Sequence, residues 1–358
     1  MSTAPRLGAP GGLTAGRRWA VGLISAGATL ALVAIVALVW ALWSYQGAGP
    51  AARQGAGTTV ILRHGASLTE IASTLERAGV VRSSSLFMAA AQITGAAREL
   101  KAGEYAFESR APMARVLDDI RTGKVVRRLL TIPEGFTSEM VAEALQRTSA
   151  LSGAAPQPPE GAVLPDTYQF ERDDDRAALL KRMMDARDQT LAQLWARRQP
   201  GLPFATPEEA VVLASIVEKE TAVPSERPRI AGVFVNRLRA GMRLESDPTI
   251  IYGVSRGRPL GRGIRLSELN APTPYNTYQV DGLPPTPICN PGRAALAAVL
   301  DPPKTTELFF VADGSGGHVF ASTFAEHRKN VEKWRALEKS RAAMAVTSPA
   351  KAATAGAR

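Results

Sequence analysis

The stretch Thr206 to Thr221 reads TPEEAVVLASIVEKET. Thr206 is an N-cap residue, Pro207 fits the first helical turn, and Glu209 stands three places on to close a capping box. The spacing predicts a helix that ends in two glutamates, Glu218 and Glu220, separated by one lysine. At about 100° per residue, Leu213, Ile216 and Val217 form an apolar stripe with Glu220 near it. Glu218 falls with Val211, Ala214, Ser215 and Ala222, a face of mostly small side chains. A carboxyl on such a face has its pKa raised by desolvation, as a general acid at neutral pH requires. The plain alternative is that both glutamates are solvated or bridge to Lys219, Arg227 or Arg229. The octapeptide ASIVEKET by itself leaves both open.

Working outward, 358 residues exceed the usual size of one domain, and 45% apolar residues is ordinary for a globular chain. The single cysteine, Cys289, excludes an intramolecular disulfide. The net charge of +10 invites a nucleic-acid reading. Against it stands WAVGLISAGATLALVAIVALVWALWSY, Trp19 to Tyr45, which contains no charge. At about 1.5 Å per residue it outruns a bilayer core of roughly 30 Å. Trp19, Trp40, Trp43 and Tyr45 stand near its ends, where aromatic rings favour the headgroups. Arg6, Arg17 and Arg18 precede it and only Arg53 follows closely, so the positive-inside rule places the N-terminus in the cytoplasm. A cleaved signal peptide is the competing reading, but its apolar core runs to roughly 7–15 residues. With an uncleaved anchor, everything after residue 46 lies outside the cytoplasm, which argues against nucleic acid.

A Gly- and Ala-rich linker follows, Gln46 to Gly57. Then a strand (Thr58 to Leu62), a helix capped by Ser67 with Glu70, a second helix (Ser84 to Ile93) and a returning strand (Gly103 to Phe107) give the order of LysM-type glycan-binding modules. A helix over Pro112 to Arg121 and a strand over Val125 to Ile132 lead into IPEGFT, read as a turn. Further helices are expected over Arg176 to Arg198, over Arg227 to Arg239, and from Asn290-Pro291. Thr323 with Glu326 caps a last one, and Glu307 to Ala312 reads as a buried strand. From about Ala342 the chain has no apolar period and reads as a disordered tail. The segment after Arg239 reads as a polar loop and a short aromatic-bearing piece.

The histidines, His64, His318 and His327, have no metal-ligand spacing, and no cofactor loop is present. No GxSxG elbow supports a serine nucleophile. Chemistry here rests on carboxylates. APTPYNTYQVDGLPPTPICNPG places Tyr275, Asn276, Thr277 and Tyr278 between prolines, and rigid loops bearing amides and rings suit sugars. A loop packed on the core is the alternative.

ASIVEKET, the Glu226-Arg227 pair, VFVNRL, the MRLESDPT run, APTPYNTY, GLPPTPICNPG and FFVADGSGGHVF together resemble the MltG (YceG-like) family, in order from about Val60 to Trp334. These are membrane-anchored endolytic murein transglycosylases. VLPDTYQF and LKAGEYAF resemble the family too, whereas the Arg/Gly loop Ser255 to Gly263 and Cys289 depart from it.

The resemblance implies an α+β chain with one N-terminal transmembrane helix, a small LysM-like module and a mixed α/β catalytic domain. The expected boundaries are 1–18 cytoplasmic tail, 19–45 transmembrane helix, 46–57 linker, 58–125 LysM-like module and connecting helix, 126–341 catalytic domain, and 342–358 tail. It implies Glu218 as the catalytic acid; Glu220, by its wheel position, is then expected against the next helix, bonded to Arg227 or Arg237 and supporting Glu218. Ser215, Asn236, Asp247, Tyr252, Tyr275, Asn276 and Tyr278 are the candidate substrate-binding residues, and Asn236 and Asp247 read equally as structural. No metal or cofactor is expected. The expected partners are peptidoglycan glycan strands, the bacterial inner membrane and peptidoglycan synthases, with the catalytic domain periplasmic. A water-using muramidase with Asp247 as second carboxylate, and a non-catalytic peptidoglycan-binding scaffold, are the rival readings.

Overall fold

The structure is a computed structural model that describes residues 15–347, with side chains over 23–341. The chain divides into two compact units, Met1–Val126 and Arg127–Arg358. It is an α+β protein whose strands pair only in twos.

The first unit begins with helix α1 (Ala15–Gln46). Its Leu23–Gln46 portion is apolar and long enough to cross a membrane; it is exposed along most of its length, and Tyr45 near its end packs on the core of this unit. Strand β1 (Gly57–Leu62), helices α2 (Leu68–Arg77) and α3 (Ser84–Ile93), and strand β2 (Gly103–Glu108) follow, then helix α4 (Met113–Thr122). Ser67 caps α2 as its sequence predicts, accepting from the Glu70 N–H. The antiparallel register sets Val60 against Tyr105 and Thr58 against Phe107. The faces alternate, so Val60, Leu62, Tyr105 and Phe107 point inward. They meet Leu75, Phe87, Val116 and Ile120 in one core. Tyr105 is fully buried, and its hydroxyl donates to the carbonyl of Lys101, which meets the demand of a buried polar group.

In the second unit, β3 (Arg128–Thr131) pairs antiparallel with β4 (Thr167–Phe170), and α5 (Ser138–Arg147) lies between them in sequence. Helix α6 (Arg176–Ala196) contributes Leu179, Leu180 and Met183 to the core of this part. A second core is built by α7 (Pro207–Glu220), α8 (Arg227–Arg239) and α11 (Arg293–Leu300). The hairpin of β5 (Phe309–Ala312) and β6 (His318–Ala321) lays Phe310 and Phe320 on it. Helices α9 (Asp247–Ser255) and α10 (Leu266–Leu269) stand between, and α12 (Phe324–Thr347) closes the described chain.

The capping box at Thr206 and Glu209 is present as read from the sequence. Helix α7 is buried more widely than its apolar stripe suggests. Every residue from Ala210 to Glu218 is buried, so the middle of the helix runs through the core, with Glu208 and Lys219 exposed at its ends. Burying Leu213, Ile216 and Val217 alone stabilises the fold by about 1.5–3 kcal/mol per side chain. Several boundaries also differ: the strand expected over Val125 to Ile132 spans Arg128–Thr131, and the buried strand expected over Glu307 to Ala312 spans Phe309–Ala312 and is only partly buried. The segment after Ser246 is the helix α9 rather than a loop, started by Asp247-Pro248. The helix expected from Asn290 starts at Arg293, because Asn290 is engaged in loop pairing. The helix α12 carries on to Thr347, past the expected tail boundary at Ala342; residues 348–358 and the N-terminal 14 lie outside the described residues.

Candidate active site

Glu218 occupies the last turn of α7, and its side chain is only 3% exposed. Two donors fix it. The Gly292 N–H donates to Oε2 at 2.9 Å, and Arg227 Nη2 donates to Oε1 at 2.8 Å. Arg227 stands in the first turn of α8, which the short turn Pro224–Glu226 swings back toward the end of α7. Gly292 precedes α11 in the ICNPG loop. That loop is pinned along α7: Ser215 Oγ accepts from the Ile288 N–H, and Cys289 Sγ donates to the Ser215 carbonyl.

A third segment completes the wall. In the turn Pro133 to Phe136, Gly135 takes a φ of +77°, which glycine adopts without strain. The Gly135 N–H donates to the Asn290 carbonyl and the Asn290 N–H to the Phe136 carbonyl. Fully buried Asn290 locks this junction, donating from Nδ2 to Phe136 and accepting the Val163 N–H at Oδ1. The turn thereby brings Glu134 to Arg227, whose Nη2 donates to Glu134 Oε2 at 2.8 Å. Lys219 reaches across to the Gly135 carbonyl.

Burial pushes the Glu218 carboxyl above the ordinary carboxylate range. The Gly292 N–H and Arg227 pull it back down, while the nearby Glu134 charge pushes it up; the net direction is upward. Glu220 is pushed further, to about 7, by its removal from water. Its carboxylate accepts from Ser246 Oγ, and the Asp247 charge adds to the rise.

The structure corrects several sequence expectations at this site. Neither Arg227 nor Arg237 bonds Glu220. Arg227 bonds Glu218, because the turn after α7 brings the start of α8 under that residue. Buried Arg237 donates to the carbonyls of Leu308, Arg243 and Leu244 and to the Glu245 carboxylate, tying α8 to β5 and to the segment before α9. Ser215 does not line a cleft. It is fully buried, donating to the Val212 carbonyl while it holds Ile288, and Ala214 beside it is equally buried. The small side chains next to Glu218 admit the ICNPG loop rather than open space.

The remaining candidates fall into three groups. Asn236 donates to the Thr305 and Glu307 carbonyls, and buried Asn276 donates to the carbonyls of Glu268, Leu269 and Ala271. Both amides hold loops. Exposed Asp247 accepts from the Tyr278 hydroxyl at 2.8 Å, close enough to Glu220 for its charge to act there. Tyr252 donates to Glu160, itself raised by burial, and meets the Tyr275 ring edge-on at 5.0 Å beneath the Arg256 guanidinium.

The sequence reading passed over Glu134, Gly292 and Asn290, which make direct bonds at or beside Glu218. It quoted Glu226 as a motif residue without a role; Glu226 accepts from both the backbone N–H and the Nδ1 of His318 and from Thr221 Oγ, fastening the end of α7 to β6. The signal available for Glu134 was its place in IPEGFT, a carboxylate ahead of a turn glycine. Among the described residues, no three His, Cys, Asp or Glu side chains gather as a metal site.

A family model described as the YceG-like family matches residues 60–333, a span that includes every residue of this arrangement. The chain belongs to the YceG-like family. Among curated proteins, this YceG-like chain is 29% identical over 322 residues to an endolytic murein transglycosylase of Streptococcus pneumoniae serotype 2 strain D39. That match covers 76% of this chain and 57% of the relative. It is 32% identical over 177 residues to an endolytic murein transglycosylase of Bacillus subtilis strain 168, covering 49% of this chain and 48% of that one. The chain thus spans about half the length of the curated relatives it matches. A crystal structure of a yceG-like protein of Listeria monocytogenes, 27% identical, aligns with a TM-score of 0.47 over 77% of this chain and 99% of that one.

Proposed function

We propose that this YceG-like chain is an endolytic lytic transglycosylase that cleaves the β-1,4 bond between N-acetylmuramic acid and N-acetylglucosamine in nascent glycan strands and so ends their elongation. The observation that carries this reading is the Glu218 carboxyl: nearly buried, raised in pKa, and held by two donors at the end of a core helix. The activity named for its two relatives agrees with it.

In this mechanism protonated Glu218 gives its proton to the glycosidic oxygen as the C1–O bond breaks. Positive charge develops at C1, stabilised in part by the substrate's own acetamido oxygen. The Glu218 carboxylate that remains accepts the Gly292 N–H and the Arg227 guanidinium, donors already aimed at it before the proton leaves. That carboxylate then takes the proton of the muramic C6 hydroxyl, whose oxygen bonds C1. The product is a 1,6-anhydro end. Glu218 recovers its proton, and no water is consumed. Holding the C6 hydroxyl over C1 is a positioning task that replaces a second catalytic carboxylate.

The hydrolytic rival needs such a carboxylate, set roughly 6.5–9.5 Å from the acid in an inverting enzyme and about 5–5.5 Å in a retaining one. Asp247 is bonded to Tyr278 instead. Glu134 is likewise bonded, to the Arg227 nitrogen that it shares with Glu218. Glu220, half-buried and bonded to Ser246, supports the end of the helix that carries the acid. Tyr252, Tyr275 and Tyr278 shape the glycan-facing loops, Asn276 keeps the tyrosine-bearing loop in place, and Asn236 holds the segment before β5.

The strand–helix–helix–strand order of the first unit supports a LysM-like glycan-binding module, with a groove lined by Ile61, Arg63, Glu70 and Thr74. The exposed apolar helix supports a single-pass anchor in the inner membrane, N-terminus inside and catalytic unit periplasmic, within reach of peptidoglycan synthases. Reporter fusions at residue 358 test that topology.

The deciding experiment compares wild type and Glu218→Gln on purified glycan strands by mass spectrometry. Anhydro ends are one water lighter than reducing ends. Wild type should yield anhydro ends from within the strand, and Glu218→Gln should lose about 10²–10⁴-fold in rate while still binding the strands. Reducing ends from wild type would establish a muramidase; anhydro ends at an undiminished rate from the variant would remove Glu218 from the mechanism.

A further inference from the structure

The Glu134 carboxylate lies against the Cα of Gly292, with Oε1 in the space a Cβ there would fill. Gly292 has an ordinary φ of −73°, so its lack of a side chain answers to Glu134 rather than to backbone conformation. The same Arg227 nitrogen donates to Glu134 and to Glu218 at 2.8 Å each. The two carboxylates differ in setting. Glu134 is 42% exposed, whereas the Glu218 side chain is almost fully removed from water.

We propose that Glu134 is a positioning residue for Glu218: from the solvent side it shares the Arg227 guanidinium and packs against Gly292, so that both donors to Glu218 are held in place while the acid remains able to carry its proton. This rests on the reading of Glu218 as the general acid.

The physical reason is a balance of charge. A guanidinium beside a carboxylate favours the ionised form, by about 1–3 pKa units, and an N–H donor adds to that. Burial raises the Glu218 carboxyl most, while Arg227 and Gly292 work against it, and the Glu134 charge offsets part of their pull. A second carboxylate on the same guanidinium leaves one positive charge between two negative ones, and the proton goes to the less solvated partner. The groups that face this carboxyl are Arg227 from α8, Glu134 from the turn before α5, and the Cys289 thiol with the Gly292 N–H from the ICNPG loop. Lys219 on its own helix is turned to Gly135. The Cys289 thiol is pushed up by burial and stays neutral. Glu134 is thus the anion that opposes Arg227.

The test uses the full chain in detergent, as wild type, Glu134→Gln and Glu134→Asp. Glutamine keeps an acceptor for Arg227 but removes the charge; aspartate keeps the charge on a shorter arm. In substrate-free protein, the protonation midpoint of the Glu218 carboxyl is read from its infrared band, assigned by its loss in Glu218→Gln. The pH profile of kcat/KM for anhydro-end formation is read in parallel. Glu134→Gln should lower the midpoint by about one pH unit, move the alkaline limb of the profile down with it, and cut kcat near neutral pH about tenfold with little change in KM. Glu134→Asp should restore the midpoint and the limb. A midpoint unmoved by Glu134→Gln overturns the proposal, whether or not the rate falls, because a merely structural role lowers the rate without moving the titration. A midpoint that moves in a protein whose wild type makes no anhydro ends upholds the coupling and rejects the transglycosylase reading instead.

Discussion

The Gly292 N–H donates to the Glu218 carboxyl across 74 residues of chain, at 2.9 Å. A backbone donor has no rotamer to lose, so it positions the carboxyl at little entropic cost once the loop that carries it is fixed. That loop is fixed by Ser215 at Ile288 and by the paired N–H and carbonyl groups of Asn290 with the Pro133 to Phe136 turn. The candidate acid is therefore held by a chain of ordinary folding contacts.

Gly292→Ala tests that relationship. The added methyl has to displace the Glu134 carboxylate, while the backbone dihedrals remain accessible to alanine. Overpacking of this kind costs about 1–3 kcal/mol, less where the neighbour is exposed and can swing aside, as Glu134 can. The expected result is a small fall in Tm with a much larger fall in anhydro-end formation. An unchanged rate would show that the close approach of Glu134 to Gly292 does not matter to Glu218.

Glu220 gives the fold a pH dependence with a definite sign. Its folded pKa is raised from 4.5 to about 7, so the native state binds its proton more tightly than the unfolded chain does. This contribution to stability is complete below about 4.5 and is lost as pH rises through about 7. Thermal unfolding followed across that interval should show Tm falling with rising pH. Glu220→Gln should flatten part of the fall, the remainder coming from Glu160 and Glu218, which burial also raises. A profile of the same slope in the variant would mean that Glu220 titrates normally.

Ser215 now carries a different expectation from the one its helical face suggested. Ser215→Ala leaves the buried Ile288 N–H without its acceptor, at a cost of about 1–3 kcal/mol in unfolding free energy. Urea titration should show the loss, and KM for glycan strands should hold within about twofold, since the hydroxyl faces the core. A stable variant with a raised KM would return Ser215 to the substrate cleft.

Much of the local structure was legible in the chain. Ser67, Thr206 and Thr323 each start a helix as read, because a cap is a bond between residues three apart and needs no tertiary partner. Helices over Ser84–Ile93 and Arg227–Arg239 have the bounds expected of them. At α7 the helical wheel placed Glu218 in a desolvated setting, but it could not show that the middle of the helix is buried on every face, because a projection carries no tertiary partners. Short range also explains the miss at α9, where an Asp-Pro start was taken for part of a loop.

The sequence by itself determined the long apolar helix, the run of motifs that marks the family, and the two glutamates at the end of one helix. It could not divide their roles by partner. Arg227 bonds Glu218 and not Glu220, Glu134 reaches that arginine from 93 residues away, and the small residues beside Glu218 receive a loop instead of a ligand. Such contacts depend on where distant turns place their ends. Only the packing of α7, α8, the Glu134 turn and the Gly292 loop against one another decides which carboxyl is buried, which is shared, and which stays in water.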